Sequence, residues 1–400
     1  MAKLIEITGR ALSGEWGMED ENGNGIPVLR TTNFTNEGTV NYSNIVTRII
    51  EKKNIEEKFL RKGDIIIEKS GGSDKFPVGR VIYFDGEENI YLFNNFTGLL
   101  RVKNLKKWYP KYVFYSLFAN YKRGGTRTFE NKTTGLHNLK INDYVSRYEV
   151  IEISRNKQVA ICEKLDKIHK IIRKKSEEMK LLDELIQSRF VELFGDPYVN
   201  PLKWKRLKIK DAVTIEPQNG LYKPQSDYVA DGTGTPILRI DGFYNGRVTD
   251  FGSLKRLKCS GMEQQRYLLL EDDIVINRVN SIEYLGKCAH IKGLLEDTVY
   301  ESNMMRMHFD PEHYNPVYIC KLLCSQYIYD QIVNHAKKAV NQASINQKDV
   351  LDFNIYQPPL ELQNQFADFV VSVDKSKSKI QKSLEETQLL FDSLMQRYFG

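Results

Sequence analysis

The chain has 400 residues, 41% of them hydrophobic and 28% charged, with a net charge of +6 and a pI near 8.8. That length exceeds one ordinary core, the composition excludes a disordered polymer, and the mild basicity permits a nucleic-acid partner without requiring one. Five cysteines with no C-x-x-C pair argue against a disulfide framework or a zinc site, and no run of about 18 apolar residues could cross a membrane, so a cytoplasmic protein without a membrane partner is expected.

The chain opens at "KLIEITG" and soon reaches "IPVLRTTNF" (26–34). "DIIIE" (64–68), "RVIYF" (80–84) and "NIYLF" (89–93) follow. These are short β-branched and aromatic runs between Gly, Asn and Asp, and they read as strands and turns. "PKYVFYSLFANY" (110–121) reads as helical. From Arg155 to Phe194 there is neither Pro nor Gly. Ile161, Leu165, Ile168, Ile172, Met179, Leu182 and Ile186 step by four and three, with Lys175 as the one charged interruption. Such a seam belongs to a coiled coil, on a rod of about 60 Å.

Beyond it, "NPLKWKRLKIKDAV" (200–213) reads as a strand following the helix, a segment for which the first half of the chain shows no counterpart. "TPILRIDGF" (235–243), "DIVIN" (273–277) and "KCAHI" (287–291) repeat the strand-rich pattern. "PVYICKLLCSQYIYDQIVNHA" (316–336) reads as helical. A second apolar stripe runs through Phe366, Val370, Val373, Ile380, Leu384, Phe391, Leu394 and Tyr398, with Lys377 and Thr387 as misfits.

Pro27 and Pro236 are 209 positions apart (236 − 27), and so are Arg30 and Arg239. The same offset sets Asp64 opposite Asp273, Lys69 opposite Arg278, Tyr91 opposite Tyr300 and Asn94 opposite Asn303. Gly79-Arg80 matches Gly286-Lys287 at an offset of 207. "TGLHNLKINDY" (134–144) meets "ASINQKDVLDF" (343–353), and "LIQSRFVELFG" (185–195) resembles the closing "LMQRYFG" (394–400). The chain is therefore a duplicated unit. The expected fold is α+β: two pseudo-repeated strand-rich domains, 1–154 and 196–360, separated by two long helices, 155–195 and 361–400. The helices would pair as an antiparallel coiled coil, giving a dumbbell; packing of each helix onto its own globule is the plainer alternative.

The chain carries no Walker-type loop, G-x-S-x-G, H-E-x-x-H or dinucleotide G-x-G-x-x-G. "NPVY" (315–318) resembles an amino-methyltransferase loop, but no Gly-rich cofactor turn accompanies it and Asn315-Pro316 suits a helix start. In "DIIIEK" (64–69) Glu68 and Lys69 are adjacent, the wrong spacing for a nuclease, and Asp64 suits a turn cap before a strand. The reading is a binder with no catalytic residue and no metal ligand.

Duplex DNA demands cations for phosphates and forked donors or amides for base edges. "KSGGSDKFPVGR" (69–80) offers Lys69, Ser70, Ser73, Lys75 and Arg80, and its counterpart at 278–287 offers Arg278, Asn280, Ser281 and Lys287. "YKRGGTRTFENK" (121–132) adds Lys122, Arg123, Arg127 and Lys132, with Asn138 just beyond; "HAKKAVNQ" (335–342) adds Lys337, Lys338, Asn341 and Gln342. Matching positions with differing content suit a reader of two unlike half-sites. Arg30 and Arg239, identical in both copies, suit a phosphate contact or a scaffold ion pair.

The order of globule, helix, globule, helix resembles the specificity subunits of type I restriction–modification systems. So do "IPVLRTTNF", "GDIIIEKSGG…PVGRVIYF", "TGLHNL", "QPPLELQNQFADFV" and the closing "LMQRYFG", over essentially the whole chain. The resemblance implies that each globule is a target recognition domain reading half of a bipartite site in double-stranded DNA. It implies that the helices set the spacer and bind two methyltransferase subunits, which methylate adenine at N6, with motor-nuclease subunits joining them. S-adenosylmethionine, ATP and Mg²⁺ would sit on those partners, and this chain would bind no cofactor. The competing reading is a non-catalytic coiled-coil adaptor whose globules bind proteins.

Overall fold

The structure, a computed structural model, describes residues 1–51, 55–133, 136–340 and 342–400. The chain divides into two compact units, Met1–Glu177 with Gln381–Gly400, and Glu178–Ile380. The division passes through both long helices, Arg155–Phe194 and Leu360–Phe399, so each unit holds one globule and part of each helix.

In the first unit a four-stranded sheet runs in the order Leu12–Ser13, Thr97–Leu100, Ile65–Glu68, Val81–Tyr83. Consecutive strand side chains point to opposite faces, and "DIIIE" uses both. Ile65 and Ile67 join the cluster under the helix Pro110–Lys122, with Tyr112, Val113 and Leu117. Ile66 faces the other way, against Phe34, Ile82, Phe84 and Phe93. An apolar run without alternation is what a strand covered on both faces requires. A second sheet, Met18–Glu19, Val46–Ile49, Ile26–Leu29, Leu92–Phe93, holds the "IPVL" strand, whose Val28 and Leu29 pair in parallel with Leu92 and Phe93. A third, three-stranded sheet joins Glu130–Thr133, Leu136–Leu139 and Ser70–Gly72.

The second unit repeats this plan sheet for sheet. Its central sheet is Val213–Asn219, Met304–Phe309, Ile274–Asn277, Cys288–His290, extended by Gly246–Val248 and Phe243–Tyr244. Ile274 and Ile276 face one core and Val275 the other. Tyr228–Val229, Lys255–Leu257, Thr235–Leu238 and Val299–Tyr300 form the second sheet, again with a parallel last pair. Val279–Asn280, Ala343–Ser344 and Lys337–Lys338 form the third.

One expectation is refined and one is corrected. Residues 316–336 form two helices, Pro316–Leu323 and Gln326–His335, broken at Cys324-Ser325. Both Ile319, Leu322, Leu323 and Tyr327, Ile328, Ile332 are buried in one cluster, and their spacing slips phase where a straight helix would turn one group away. The first unit also has a counterpart to the strand Lys205–Lys208, which pairs with Asn354–Gln357: Ala2–Lys3 pairs with Glu149–Val150. Two residues were too short a run to read as a strand.

Within the first unit, Leu165 is buried with Phe391, Met395 and Phe399, and Ile161, Ile168, Ile172 and Leu394 pack at the edge of that cluster. The same cluster contains Leu4 and Tyr112 of the globule, so the helix seam is continuous with the globule's core. The two segments run in opposite directions: His169 lies against Phe391, whereas Lys175 reaches Ser383 and Thr387. Leu384 is half-buried here. Within the second unit, Ile186 and Phe194 are buried with Phe366, Val370 and Val373, and Leu182 packs beside them. Asp183 pairs with Lys377, while Met179 and Ile380 are half-buried.

Candidate nucleic-acid interface

In each unit the third sheet gathers segments that lie far apart in sequence. Ser70 of the 69–80 segment is paired with Asn138 of "TGLHNL", and Asn138 in turn with Asn131. In the second unit Asn280 pairs with Ala343, and Ala343 with Lys338. The four polar-basic segments thus form two equivalent surfaces, one per unit.

The candidate cations divide into inward and outward sets. Arg80 points inward, donating from Nη2 to the Thr31 carbonyl at 2.8 Å and from Nη1 to the Phe34 carbonyl at 3.1 Å. Its guanidinium lies 5.6 Å from the centre of the Phe34 ring and 3.5 Å from the Glu68 carboxylate. Lys287 does the same in the second unit, donating to the Ile240 carbonyl at 2.7 Å and lying 4.6 Å from the Phe243 ring centre. Burial lowers the Lys287 pKa.

The glycine before each cation explains the repeated Gly-Arg and Gly-Lys. Gly79 and Gly286 have φ of +103° and +76°, and a Cβ would come within 2.8 Å of Thr126 or 2.1 Å of Ile332. The duplicated "IPVLRTTNF" and "TPILRIDGF" are therefore a strand and turn whose carbonyls a cation from the next sheet holds in place.

Arg30 donates to the Asn44 carbonyl at 2.9 Å. Arg239 lies 3.6 Å from Glu301 and 5.5 Å from the Tyr228 ring centre. Each has a buried Nε without a hydrogen-bond partner. Arg278 donates to the Ser302 carbonyl at 3.1 Å. Lys69 donates to Ser13 Oγ at 2.9 Å, and burial, with Lys58 nearby, lowers its pKa.

Lys75, Lys122, Arg123 and Arg127 form the outward set in the first unit, Lys337 and Lys338 in the second, all exposed. Lys122 lies 5.3 Å from the Phe118 ring centre. Arg127 ties its own loop to the 69–80 segment through the carbonyls of Asp74 and Lys75, at 3.1 and 3.3 Å. The amides of Ser73 and Ser281 lie in tight turns, where Asn280 Oδ1 accepts from Ser281 N–H at 2.8 Å. The Gln342 carbonyl accepts from Ala339 N–H at 2.7 Å, closing the Lys337–Ser344 hairpin. Lys132 is placed by its backbone, opposite His137. Asn341 lies outside the described residues.

Asp64 caps its turn, accepting from Arg61 N–H at 2.8 Å, and binds Arg101 across the sheet. Asp273 likewise accepts from Leu270 N–H at 2.8 Å and binds Arg306. Asn315 caps the helix that starts at Pro316, accepting from Val317 N–H at 2.9 Å. Among the described residues no group of three or more His, Cys, Asp or Glu is placed to hold a metal ion, and no helix is long and apolar enough to cross a membrane. Two aromatic residues on these surfaces, Phe76 and Tyr284, are exposed at loop tips. Nothing in the sequence separates them from the core aromatics, because exposure is not a local property of sequence.

Comparison with known proteins repeats the internal duplication. The model of the type I restriction modification DNA specificity domain matches residues 2–181 and again residues 201–387. The chain belongs to the family of type I restriction–modification specificity subunits. It is 29% identical over 202 residues to a Methanocaldococcus jannaschii protein named as the type I restriction enzyme MjaX specificity subunit, a match covering 50% of this chain and 46% of that one. It is 21% identical over 391 residues to the type I restriction enzyme StySPI specificity subunit of Salmonella potsdam, covering 93% of this chain and 80% of that one. The crystal structure of the type I restriction–modification S subunit from M. genitalium has the same fold, with a TM-score of 0.57, 15% identity and coverage of 100% and 95%. Specificity subunits bind DNA and complex partners in general, and as a family they are non-catalytic.

Proposed function

We propose that this chain reads a bipartite, asymmetric site in double-stranded DNA for a type I restriction–modification complex, each unit reading one half. The observation that carries the proposal is the pair of equivalent three-stranded surfaces: one scaffold, with Ser70, Ser73 and Asn138 on one copy and Asn280, Ser281 and Gln342 on the other. Outward Lys and Arg supply the sequence-independent phosphate contacts, and the differing polar side chains supply the base contacts. Joining two readers in one chain makes the second contact intramolecular.

The long helices, paired antiparallel as a coiled coil, set the gap between the half-sites and dock two methyltransferase subunits, to which motor-nuclease subunits are added. S-adenosylmethionine, ATP and Mg²⁺ are used by those partners. Methyl transfer to adenine N6 is then chemistry of the complex, directed by this chain.

Mapping N6-methyladenine across the host genome, with the gene intact and deleted, tests the proposal. A two-part motif with a fixed gap should lose methylation in the deletion strain. An unchanged methylome, with no duplex binding by the purified chain, would favour the adaptor reading.

A further inference from the structure

Among the exposed aromatic rings of each unit, one stands on the loop that follows the first strand of the third sheet, a loop fastened on its other sides. Phe76, 60% exposed, sits between the strands Ser70–Gly72 and Val81–Tyr83. Its turn is closed twice, by Ser73 N–H donating to the Phe76 carbonyl at 2.7 Å and by Phe76 N–H donating to Ser73 Oγ at 3.1 Å. Arg127 grips the two preceding carbonyls, and Val78 N–H donates to Glu130 at 3.0 Å.

Tyr284, 51% exposed, occupies the matching loop between Val279–Asn280 and Cys288–His290. Its N–H donates to the Ser281 carbonyl at 3.0 Å, and its carbonyl accepts from Asn277 Nδ2 at 3.3 Å. The two rings are 208 positions apart (284 − 76), between the offset of 209 before the loop and 207 after it.

The recurrence carries the argument. Around these positions the two loops differ residue by residue, yet both spend an ordered turn on displaying a ring. Neither ring joins a hydrophobic cluster of the described residues, so neither supports the core. Phe76 has the Lys75 ammonium 5.4 Å from its centroid, whereas Tyr284 lines a groove with Tyr244, Asn245, Leu323, Cys324 and Lys287, whose ammonium lies 3.9 Å from the Tyr244 ring centre. An exposed aromatic on a loop that also carries a cation suits a base face beside a phosphate, since every base offers a π-surface.

We propose that Phe76 and Tyr284 are wedges: each enters a base-pair step in the half-site bound by its own unit, stacks on a base and unstacks the step. This rests on the DNA-reading function above and extends it. Pyrimidine–purine steps open most easily, so each wedge adds selection for deformable steps at positions without base-edge contacts.

The test uses the purified full chain, without methyltransferase subunits whose base flipping would give the same signal. Its duplex carries the mapped site, with 2-aminopurine placed at one position at a time. Affinity is read by anisotropy and unstacking by fluorescence. Fluorescence should rise several-fold at one step in each half. Phe76→Ala should remove the rise in one half only and weaken binding about 10-fold, and Tyr284→Ala should do so in the other, as loss of one stacked ring requires. Phe76→Tyr and Tyr284→Phe should retain both signals. Tight binding without a rise, or rises indifferent to both alanine variants, would overturn the wedges and leave the DNA-reading function standing. Failure of the chain to bind duplex at all would overturn both.

Discussion

Lys175 Nζ donates to Thr387 Oγ1 at 2.9 Å, joining the polar interruption of one apolar stripe to a polar interruption of the other. The same ammonium donates to Ser383 Oγ at 2.6 Å and to the Ser383 carbonyl at 2.9 Å. In the second unit the remaining misfit, Lys377, pairs with Asp183. A half-buried polar layer of this kind favours one pairing register, since sliding the helices would leave the ammonium unpartnered.

Lys175→Ala removes three hydrogen bonds from a charged donor and should lower stability by about 1–2 kcal/mol. Lys175→Leu fills the seam with an apolar side chain and should be close to neutral. Urea unfolding of the two variants checks this, and equal midpoints for Lys175→Ala and wild type would show that the polar layer contributes nothing.

Leu165 is fully buried against Phe391 and Met395. Replacing Leu165 and Ile172 together with Lys places charge in that cluster without a partner. Loss of soluble expression or of methyltransferase-subunit binding is expected in co-purification. An intact complex would rule out the helix seam as the docking element.

Burial raises the Glu68 pKa from its ordinary value of 4.5, against the opposing pull of Arg80. A carboxyl with a raised folded-state pKa favours the folded state most when protonated, so its contribution is lost as pH rises from about 4.5 through the folded-state value. Glu68→Gln stays neutral throughout. Its thermal midpoint should therefore gain on wild type between acid and neutral pH; a gap that is constant with pH would refute the assignment.

Lys337 and Lys338 are exposed on the hairpin of the second unit. If they contact phosphates, replacing both with Ala should weaken duplex binding on all sequences alike. The slope of log K against log salt should become shallower by roughly 2. A change in the recognised sequence would instead make them base readers.

Exchanging residues 69–80 for their counterpart 278–287 should alter one half of the methylated motif and leave the other. Methylome sequencing of the exchanged strain reads this directly, and a change in both halves would move base readout elsewhere.

Much of the fold was legible in the sequence because it is written in local terms. Short β-branched runs mark "DIIIE" and "DIVIN", apolar steps of four and three mark the Pro-free, Gly-free stretch 155–194, and a constant offset marks the duplication. Pairings across long separations carry no such local signal. Only the tertiary structure joined Ser70 to Asn138 and Asn280 to Ala343, and only packing broke 316–336 at Ser325 to bring two apolar groups onto one core. It also decided which cations face solvent. Arg80 and Lys287 stand in basic loops as plausible DNA ligands, yet the left-handed glycine before each turns them inward onto backbone carbonyls. Composition and spacing determined what kinds of residue this protein carries and in what order; burial, which depends on the whole chain at once, decided which of them face solvent.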